Sequence, residues 1–455
     1  MPEFKLTCHH RERQDEWVNI IYNTDVSTLC YENGDPVPIP TEEELPDLDG
    51  YIPNDKAYKW GPGNPAYKSK NIKRLKISMG LSCNYSCSYC SQRYIPRAEE
   101  HAVKQVSNFL KKMPTWFSGG DCGKGTGIRV EFWGGEPFVY WKALKPLAEG
   151  IMKKWPKCRP LIITNGSLLD DEKIEWIDKM GIDIGLSHDG PNYKFRGPDP
   201  LDDPEKRKMI MKLYKKLAPK NKISINSVLH RNNQSRSKIQ QWLKKEFEDE
   251  NIRIGEGRLI VPYDAGGMNM SLGDDQDHYK YRFNAFNEIA SGQNDNFILV
   301  QTAIQGFISN LRHKRDIDTV PQGCGMDKPE FLAVDLMGNV LTCQNVSSVS
   351  KAPNGKSHKC GTVDDIENVK VDTIRHFSTR KECNNCPVVH FCKGTCTFLE
   401  GEYFDRACDN MYTDHIPFLA AAIHYLTGYV PLHIEGDFRE SRKDIFNLMQ
   451  KAKPL

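Results

Sequence analysis

Three cysteines in the first quarter of the chain could together hold a metal. They lie in the stretch GLSCNYSCSYC as Cys83, Cys87 and Cys90, with the spacing C-x3-C-x2-C. Thiolates bind zinc and iron–sulfur clusters, and a four-iron cluster normally takes four of them. Three thiolates from one segment therefore leave one coordination position open, which is typical of a catalytic metal site.

Most of the other cysteines are clustered as well. The chain has 455 residues and 15 cysteines, and its start, MPEFKLTCHHRERQDEW, lacks an apolar signal segment. In a large chain of this kind, clustered cysteines indicate metal binding more than disulfides. The clustered cysteines of the last third are Cys324, Cys343, Cys360, Cys383, Cys386, Cys392, Cys396 and Cys408.

The overall composition is that of a soluble globular protein. A formal net charge of +2 gives no electrostatic reason to expect nucleic acid as a partner. No run of about 18 apolar residues predicts a membrane span, so no membrane partner is expected either. We expect a cytoplasmic protein.

The elements that must position the first cysteines begin near residue 73. Six short apolar or alternating runs predict strands, namely RLKISMG, IRVEFWGG, PLIITNG, IDIGLSHDG, KISINSVLH and GRLIVPY. Charged stretches with helical periodicity separate most of them, which indicates βα units and a parallel sheet. Six strands are too few for a closed eight-unit barrel, so the predicted fold class is α/β with a partial (βα)6 TIM-like barrel.

The remaining chain is divided around this barrel. The predicted regions are an irregular N-terminal extension that includes one hairpin (1–72), the barrel (73–263), a helical bridge (264–320), a cysteine-rich domain (321–410) and closing C-terminal helices (411–455). A small peptide-docking domain at the N-terminus would need more apolar periodicity than the first region has. Polar loops follow the first four strands, and such loops meet at the C-terminal rim of a barrel, where chemistry takes place.

The segment CNYSCSYC resembles the signature of the radical S-adenosylmethionine (SAM) enzymes, including an aromatic residue between the last two cysteines. The resemblance implies that the bare iron of a [4Fe–4S] cluster chelates the amino and carboxylate groups of SAM. An electron from the cluster would cleave SAM to a 5′-deoxyadenosyl radical, which abstracts a hydrogen atom from the substrate. Zinc or a purely structural site is the alternative for the three cysteines alone.

The resemblance extends along the rim. WGGEP is similar to the family's second-strand motif, which implies contacts to the SAM amino group, because carbonyls and a carboxylate suit an ammonium and glycines permit close approach. LSHDG is similar to the fourth-strand motif. The cofactor-binding residues implied in this way are Tyr89 beside the adenine, Gly134, Gly135, Glu136 and Ser187, with Asn165 and Asn226 as weaker candidates.

The C-terminal cysteines resemble the SPASM domain, the auxiliary-cluster domain of radical SAM enzymes that modify peptides and proteins. They follow the order C-x13-G-x4-C, then C-x2-C-x5-C-x3-C, then a last cysteine. The resemblance implies two auxiliary [4Fe–4S] clusters. One would be held by Cys383, Cys386, Cys392 and Cys408, the other by Cys324, Cys343 and Cys396.

The second auxiliary cluster is one ligand short. Cys360 is the eighth thiol of this region and one candidate; an open or substrate-bound position and a carboxylate such as Asp318 are the others. Because C-x2-C pairs also bind zinc, a zinc domain is an alternative to the auxiliary clusters.

A general base is not evident from the motifs. Sulfatase-maturing members carry an acidic residue directly after the cysteine of G-x4-C, whereas this chain has Gln344, which cannot take a proton. Formylglycine formation is therefore disfavoured. Other candidates near the predicted rim are Asp189, Tyr263 and Asp264, with His188 expected to be a polar rim residue.

The resemblance predicts a radical SAM oxidoreductase that modifies a residue of a peptide or protein, for example by a carbon–carbon, ether or thioether crosslink. A flavodoxin or ferredoxin is the expected electron donor. Alternatives are a radical dehydrogenase or epimerase of a small molecule such as a sugar or aminoglycoside, and a non-enzymatic electron-transfer or zinc-stabilised binding module.

Overall fold

The computed structural model describes residues 3–13, 15–45, 67–98, 102–119, 127–353, 355–371 and 377–446. The strands are β1 (Glu3–His10), β2 (Trp17–Asn23), β3 (Thr28–Tyr31), β4 (Arg74–Ser78), β5 (Arg129–Trp133), β6 (Arg159–Thr164), β7 (Asp183–Ser187), β8 (Ile223–Leu229), β9 (Ile254–Leu259), β10 (Phe331–Asp335), β11 (Asn339–Leu341), β12 (Lys359–Thr362) and β13 (Tyr429–Glu435). The helices are α1 (Ala102–Lys112), α2 (Trp141–Lys154), α3 (Asp171–Met180), α4 (Pro204–Leu217), α5 (Arg236–Phe247), α6 (Ala265–Met270), α7 (Asp275–Ala290), α8 (Ile298–Arg312), α9 (Lys381–Asn384), α10 (Val389–Cys392) and α11 (Gly401–Thr427).

Strands β4 to β9 form the predicted partial barrel. They are hydrogen-bonded in chain order and run parallel, and helices α1 to α5 fill the connections between them. Each helix packs one apolar stripe inward; in α2 the buried residues recur at helical spacing. Helix starts are fixed by side chains such as Asp170, Asp203 and Ser235, each of which accepts a backbone N–H in the first turn.

The sheet continues beyond the barrel into the C-terminal half. Its nine strands have the order β12-β11-β10-β4-β5-β6-β7-β8-β9. Strand β10 pairs in parallel with the first barrel strand, and Asp335 lies opposite Ser78. The cysteine-rich region is therefore joined to the barrel by main-chain hydrogen bonds.

The N-terminal region differs from the predicted irregular extension. Strands β1, β2 and β3 form an antiparallel sheet with β13, in the order β13-β1-β2-β3. In β1, Phe4, Leu6 and Cys8 are buried and alternate with polar residues. The prediction failed because β1 is completed by a strand from the other end of the chain, which no local pattern shows. Residues 46–66 of the predicted extension lie outside the described residues.

The C-terminal region is also less helical than predicted. Helix α11 ends at Thr427, and the following segment YVPLHIE forms β13, since its β-branched and aromatic residues favour a strand. Helices α6, α7 and α8 lie in the range predicted as a helical bridge. Residues 447–455, which include most of the last predicted helix, lie outside the described residues, as does Cys122.

A buried ion pair fastens α11 to the end of the barrel. Arg236, at the start of α5, contacts Asp414 of α11 at 2.6 Å, and both side chains are at most 1% exposed. Arg236 also donates to the carbonyl of Gly257 in β9, while Asp414 accepts from the hydroxyl of Tyr281 and from the backbone N–H of Leu259. One network thus joins α5, β9, α7 and α11.

Within the ranges given above, no helix combines the length and the apolarity that crossing a membrane requires.

Candidate functional site

One cavity at the C-terminal ends of the barrel strands brings together nine of the ten residues predicted to hold SAM and its cluster. Its volume is about 440 Å³, and its wall includes apolar side chains of β9 and the segment that follows it. The predicted cluster and cofactor residues that line it are Cys83, Cys87, Cys90, Tyr89, Gly134, Gly135, Glu136, Asn165 and Ser187.

The cysteine loop offers hydrogen bonds to its sulfur atoms. The backbone N–H of Tyr85 donates to Sγ of Cys83 at 3.4 Å, and Cys90 accepts backbone N–H groups from Gln92 and Arg93. Burial raises the pKa of Cys87 to about 12, whereas the N–H donors act in the opposite direction on the pKa of Cys83 and Cys90. Thiolates in this loop therefore need a compensating cation, which an iron–sulfur cluster provides.

The two glycines of WGGEP serve a purpose that the sequence interpretation missed. A Cβ on Gly135 would lie 2.3 Å from the carbonyl oxygen of Ser82, and a Cβ on Gly134 would lie 2.6 Å from that of Gly80. The N–H of Gly135 donates to Gly80, and the N–H of Glu136 donates to Ser82. The glycines thus allow the second-strand loop to lie directly on the cysteine loop, as well as to face the cavity.

Glu136 is a buried carboxylate with three donors. Oε1 accepts from the N–H of Phe138 at 3.1 Å and from the hydroxyl of Thr164 at 2.8 Å, and Oε2 accepts from the N–H of Asn165 at 2.8 Å. Burial raises the pKa of this carboxyl to about 7, although all three donors favour the ionised form. A cation bound in the cavity would therefore favour the ionised form of Glu136.

An amide network holds the cysteine loop against the third strand end. Asn165 donates to Oδ1 of Asn84 at 3.0 Å, and Asn84 donates to the hydroxyl of Ser167 at 2.8 Å. Asn84 lies between the first two cysteines and was not identified from the sequence. Asparagine is common in turns whatever its contacts, so the sequence carries no signal for this one.

Asp189 is placed as a structural group, which argues against its predicted role as a base. It is fully buried, and its carboxylate accepts from the hydroxyl of Tyr89, from Arg196 at 3.0 Å and from the N–H of Val228 at 2.8 Å. Arg196, which was not predicted, also lines the cavity. The carboxylate thus fixes the position of Tyr89, whose side chain lines the cavity.

Two other predicted rim residues face the protein interior. His188, expected to be a polar rim residue, is 1% exposed, stacks on Trp242 and lies 3.2 Å from Asp199. Asn226 is not among the residues lining the cavity. Its amide occupies the room left by Gly185 and Gly255 on the flanking strands, where a Cβ would approach it to 2.6 Å.

The remaining base candidates differ from each other. Asp264 caps α6, accepting the N–H of Gly267 at 2.8 Å, and does not line the cavity. Tyr263 lines the cavity, and its hydroxyl is hydrogen-bonded to the thiol of Cys396. Burial, followed by the neighbouring thiols, raises the pKa of Tyr263 well above its usual value. Tyr263 therefore connects the cavity with the C-terminal cysteines and is a poor base.

Electrostatic effects link the C-terminal cysteines in two sets. Burial raises the pKa of the Cys383 thiol, and the thiols of Cys392, Cys386 and Cys408 add to that effect, so these four lie close together. A second group forms around Tyr263, whose pKa is raised by burial and then by Cys396, Cys343 and Cys324.

The predicted fourth ligands of the second group have other contacts. Cys360 lies in β12, and its thiol donates to the carbonyl of Val340 in the neighbouring strand at 3.4 Å. Asp318 lies in a short 3₁₀ turn and acts on the pKa of Asp25. In the part of the chain that the structure describes, no three histidine, cysteine or carboxylate side chains converge on a single-ion site. A four-iron cluster differs in that its cysteines bind different irons.

The position after Cys343 carries no base. Oε1 of Gln344 accepts from Nζ of Lys76 at 3.2 Å and is within 3.7 Å of the Cys343 sulfur. The amide is thus a hydrogen-bond acceptor beside the cysteine.

Comparison with known proteins agrees with this geometry. Residues 77–243 match the profile of the Radical SAM superfamily. The chain is 22% identical to the radical SAM cyclopropyl synthase TigE of Paramaledivibacter caminithermalis, over 72% of this chain and 68% of that protein. It is 28% identical to the S-adenosyl-L-methionine-dependent 2-deoxy-scyllo-inosamine dehydrogenase of Niallia circulans, over 31% of this chain and 55% of the relative.

A solved structure shares the fold over most of the chain. The structure of anSMEcpe with bound AdoMet superposes with a TM-score of 0.53 at 17% identity, covering 77% of this chain and 99% of that one. The predicted fold class, a partial (βα)6 barrel followed by a SPASM-type cysteine-rich region, is confirmed. The superfamily match over residues 77–243 agrees with the family resemblance of the cysteine loop and identifies this part of the chain as a Radical SAM domain.

Proposed function

We propose that this protein is a radical SAM oxidoreductase that abstracts a hydrogen atom from a residue of a peptide or protein and leaves it oxidised, for example as a crosslink. The observation that carries the proposal is the shared cavity, in which Cys83, Cys87 and Cys90 face the GGE motif of the second strand. Three thiols beside the carboxylate of Glu136 suit a cluster with one open iron and an ammonium-bearing ligand.

The cysteine loop would hold the SAM-binding [4Fe–4S] cluster. When bound, that cluster supplies the electron that cleaves SAM to the radical used for hydrogen abstraction. Glu136 would bind the ammonium group of SAM, because a nearby cation favours its ionised form. Tyr89 and Ser187 line the same cavity and would orient the adenosyl part.

The opposite wall of the cavity would receive the substrate. Leu259, Ile260 and Val261 give it an apolar lining that excludes water from a reactive radical. Glu256 and Arg258 are exposed side chains of β9 at the same cavity and could pair with charged groups of a substrate. This mixture suits a side chain within a polypeptide.

The C-terminal cysteines would hold two auxiliary clusters that accept the electron released when the product is oxidised. Tyr263 supports this arrangement, since it contacts both the cavity and Cys396. A flavodoxin or ferredoxin would supply the electron for SAM cleavage.

A peptide substrate is favoured by the shared fold with anSMEcpe, which has also been solved with AdoMet and the Cp18Cys peptide, at a TM-score of 0.51 and 18% identity. A small-molecule substrate is the second candidate, because of the 28% identity to the inosamine dehydrogenase over 145 residues.

The two substrate candidates can be distinguished by which class of compound increases the rate of SAM cleavage. Peptides should raise the rate of 5′-deoxyadenosine formation above the uncoupled rate, whereas stimulation by aminocyclitols alone would favour the second candidate.

SAM cleavage tests the proposal directly. The protein is purified anaerobically, reconstituted with iron and sulfide, and incubated with dithionite and SAM, and 5′-deoxyadenosine is quantified. We expect formation by the wild type and none by the Cys83→Ala/Cys87→Ala/Cys90→Ala variant, which should lose roughly a third of the iron. Cys30→Ala, outside all three cysteine groups, is the matched control and should cleave normally. An intact cluster that forms no 5′-deoxyadenosine would contradict the enzyme, and cleavage by the triple variant would contradict the site.

A further inference from the structure

One carboxylate in the cysteine-rich region has an environment that the rest of the chain does not explain. Oδ1 of Asp327 is buried and has no hydrogen-bond partner among the described residues. Oδ2 accepts the backbone N–H of Gln322 at 3.0 Å. A buried carboxylate oxygen without a partner is costly, and an occupant of the neighbouring site would remove that cost.

The neighbouring site is that of Cys324. Two successive turns connect the residues, since Gly325 donates to Gln322 and Lys328 donates to Gly325. Gly325 has a φ of +66°, which a glycine adopts without strain. Cys324 and Asp327 therefore lie three residues apart on one pair of consecutive turns.

The spacing of the two residues supports the same interpretation. Cys324 and Asp327 form C-x2-D, the separation of Cys383 from Cys386 and of Cys87 from Cys90. At that separation, one turn can present two ligands to one cluster. Asp327 takes the place of the second cysteine in such a pair.

A lysine is held at the same turn as Asp327. Nζ of Lys68 donates to the carbonyls of Met326 and Lys328, the residues on either side of Asp327, at 2.6 and 2.9 Å. Oδ1 of Asp327 nevertheless has no hydrogen-bond partner within the described ranges.

We propose that Asp327 is the fourth protein ligand, through Oδ1, of the auxiliary cluster held by Cys324, Cys343 and Cys396. The inference rests on the proposed auxiliary clusters and is independent of the substrate. Asp327 thus takes the position of fourth ligand for which Cys360 was one candidate, because the thiol of Cys360 donates to the carbonyl of Val340.

Iron content and spectroscopy of the full chain test the assignment without SAM or substrate. In the Cys83→Ala/Cys87→Ala/Cys90→Ala background, roughly eight irons per chain should remain, all auxiliary. We expect Asp327→Ala to lose about one iron and to show the EPR signal of an oxidised three-iron cluster. Asp327→Cys should retain the irons, and its Mössbauer spectrum should lose the distinct site of an oxygen-ligated iron.

Two matched variants separate ligation from structure. Asp327→Asn can still accept the N–H of Gln322 through its amide oxygen, so it preserves the turn but should lose iron as Asp327→Ala does. Cys360→Ala should match the parent. The irons of the other auxiliary cluster report whether each variant is folded.

Four-iron spectra in both Asp327→Ala and Asp327→Asn, or loss of iron in Cys360→Ala, would overturn the inference. A wild-type Mössbauer spectrum without an oxygen-ligated iron would overturn it even if the variants failed to fold. A parent without auxiliary iron would overturn the proposed clusters together with this ligand.

Discussion

At the scale of single residues, Gly135 controls how closely two loops approach. Its N–H donates to the carbonyl of Gly80, and its missing side chain leaves room for the carbonyl of Ser82. Cys83 comes directly after Ser82 in the chain. Gly135 therefore determines where the cysteine loop lies relative to Glu136. A side chain at 135 would act on the cluster site through backbone displacement.

We therefore expect Gly135→Ala to lower stability by about 1–3 kcal/mol, as overpacking does, and to reduce both iron incorporation and SAM cleavage. Thermal unfolding, iron assay and 5′-deoxyadenosine formation measure the three effects. Gly34→Ala is the control: Gly34 has a φ of +91°, and a Cβ added there would meet no atom within 4 Å, so this variant has backbone strain without a clash. Equal iron loss in both variants would contradict the steric explanation.

Glu136 gives a pH-dependent prediction at the same scale. Burial raises its pKa from 4.5 to about 7, so the folded protein binds this proton more tightly than the unfolded chain does. Stability from this group is fully present below pH 4.5 and is lost as the pH rises to about 7, at up to about 1.4 kcal/mol per pH unit. Thermal unfolding between about pH 5 and 8 should show a steeper fall for the wild type than for Glu136→Gln. Parallel profiles would contradict the assignment.

The residues that were predictable from sequence are those with fixed spacing. Cys83, Cys87 and Cys90, the GGE motif and the C-terminal cysteines carry their partners within a few residues or in a recognisable order. The contacts of Asp189 were not predictable in this way, because its partner Arg196 and the hydroxyl of Tyr89 come from separate loops. Asp327 was overlooked because a carboxylate after a cysteine has no motif of its own.

At the scale of elements, the Arg236–Asp414 pair joins the barrel to α11, the helix that carries Cys408. The nearby cation holds the pKa of Asp414 below its usual value despite full burial. The carboxylate of Asp414 also accepts hydrogen bonds from the hydroxyl of Tyr281 and the N–H of Leu259, which stabilise its negative charge. Removing one partner would leave the other charge buried.

Asp414→Ala should accordingly lower the unfolding free energy by about 3–5 kcal/mol. The matched control is Lys145→Ala, which breaks an exposed ion pair with Glu172 of similar length, 2.9 Å, and should lower the unfolding free energy far less, because solvent screens an exposed pair. Denaturant unfolding of the two variants gives the comparison. Similar losses would show that the buried network contributes no more than a surface pair.

The boundaries of helices and strands could be predicted from the sequence where neighbouring residues mark them. Barrel strands end in polar loops, and aspartate or serine caps open the helices. β1 and β13 were missed because each completes the other from opposite ends of the chain. Pairing between distant segments depends on the whole fold, and periodicity within a short window of residues contains no information on it.

At the scale of the whole molecule, the parallel pairing of β10 with β4 makes the barrel and the cysteine-rich region one sheet. The two cluster regions should therefore keep a fixed separation, and their strands should open together. Amides of Leu75 and Leu332, on paired strands, should exchange with solvent at similar rates in hydrogen-exchange mass spectrometry. Exchange of β10 that is faster by orders of magnitude would show that the regions open independently.

The same pairing has a consequence for solubility. A half-open barrel leaves the first strand with an unpaired row of N–H and C=O groups, which invites pairing with another chain and aggregation. In this protein β10 lies along β4 and satisfies those groups. The segment that joins the cysteine-rich region to the barrel thus also protects its open edge, so a shortened chain ending at residue 263 would expose an aggregation-prone strand as well as lose the C-terminal cysteines.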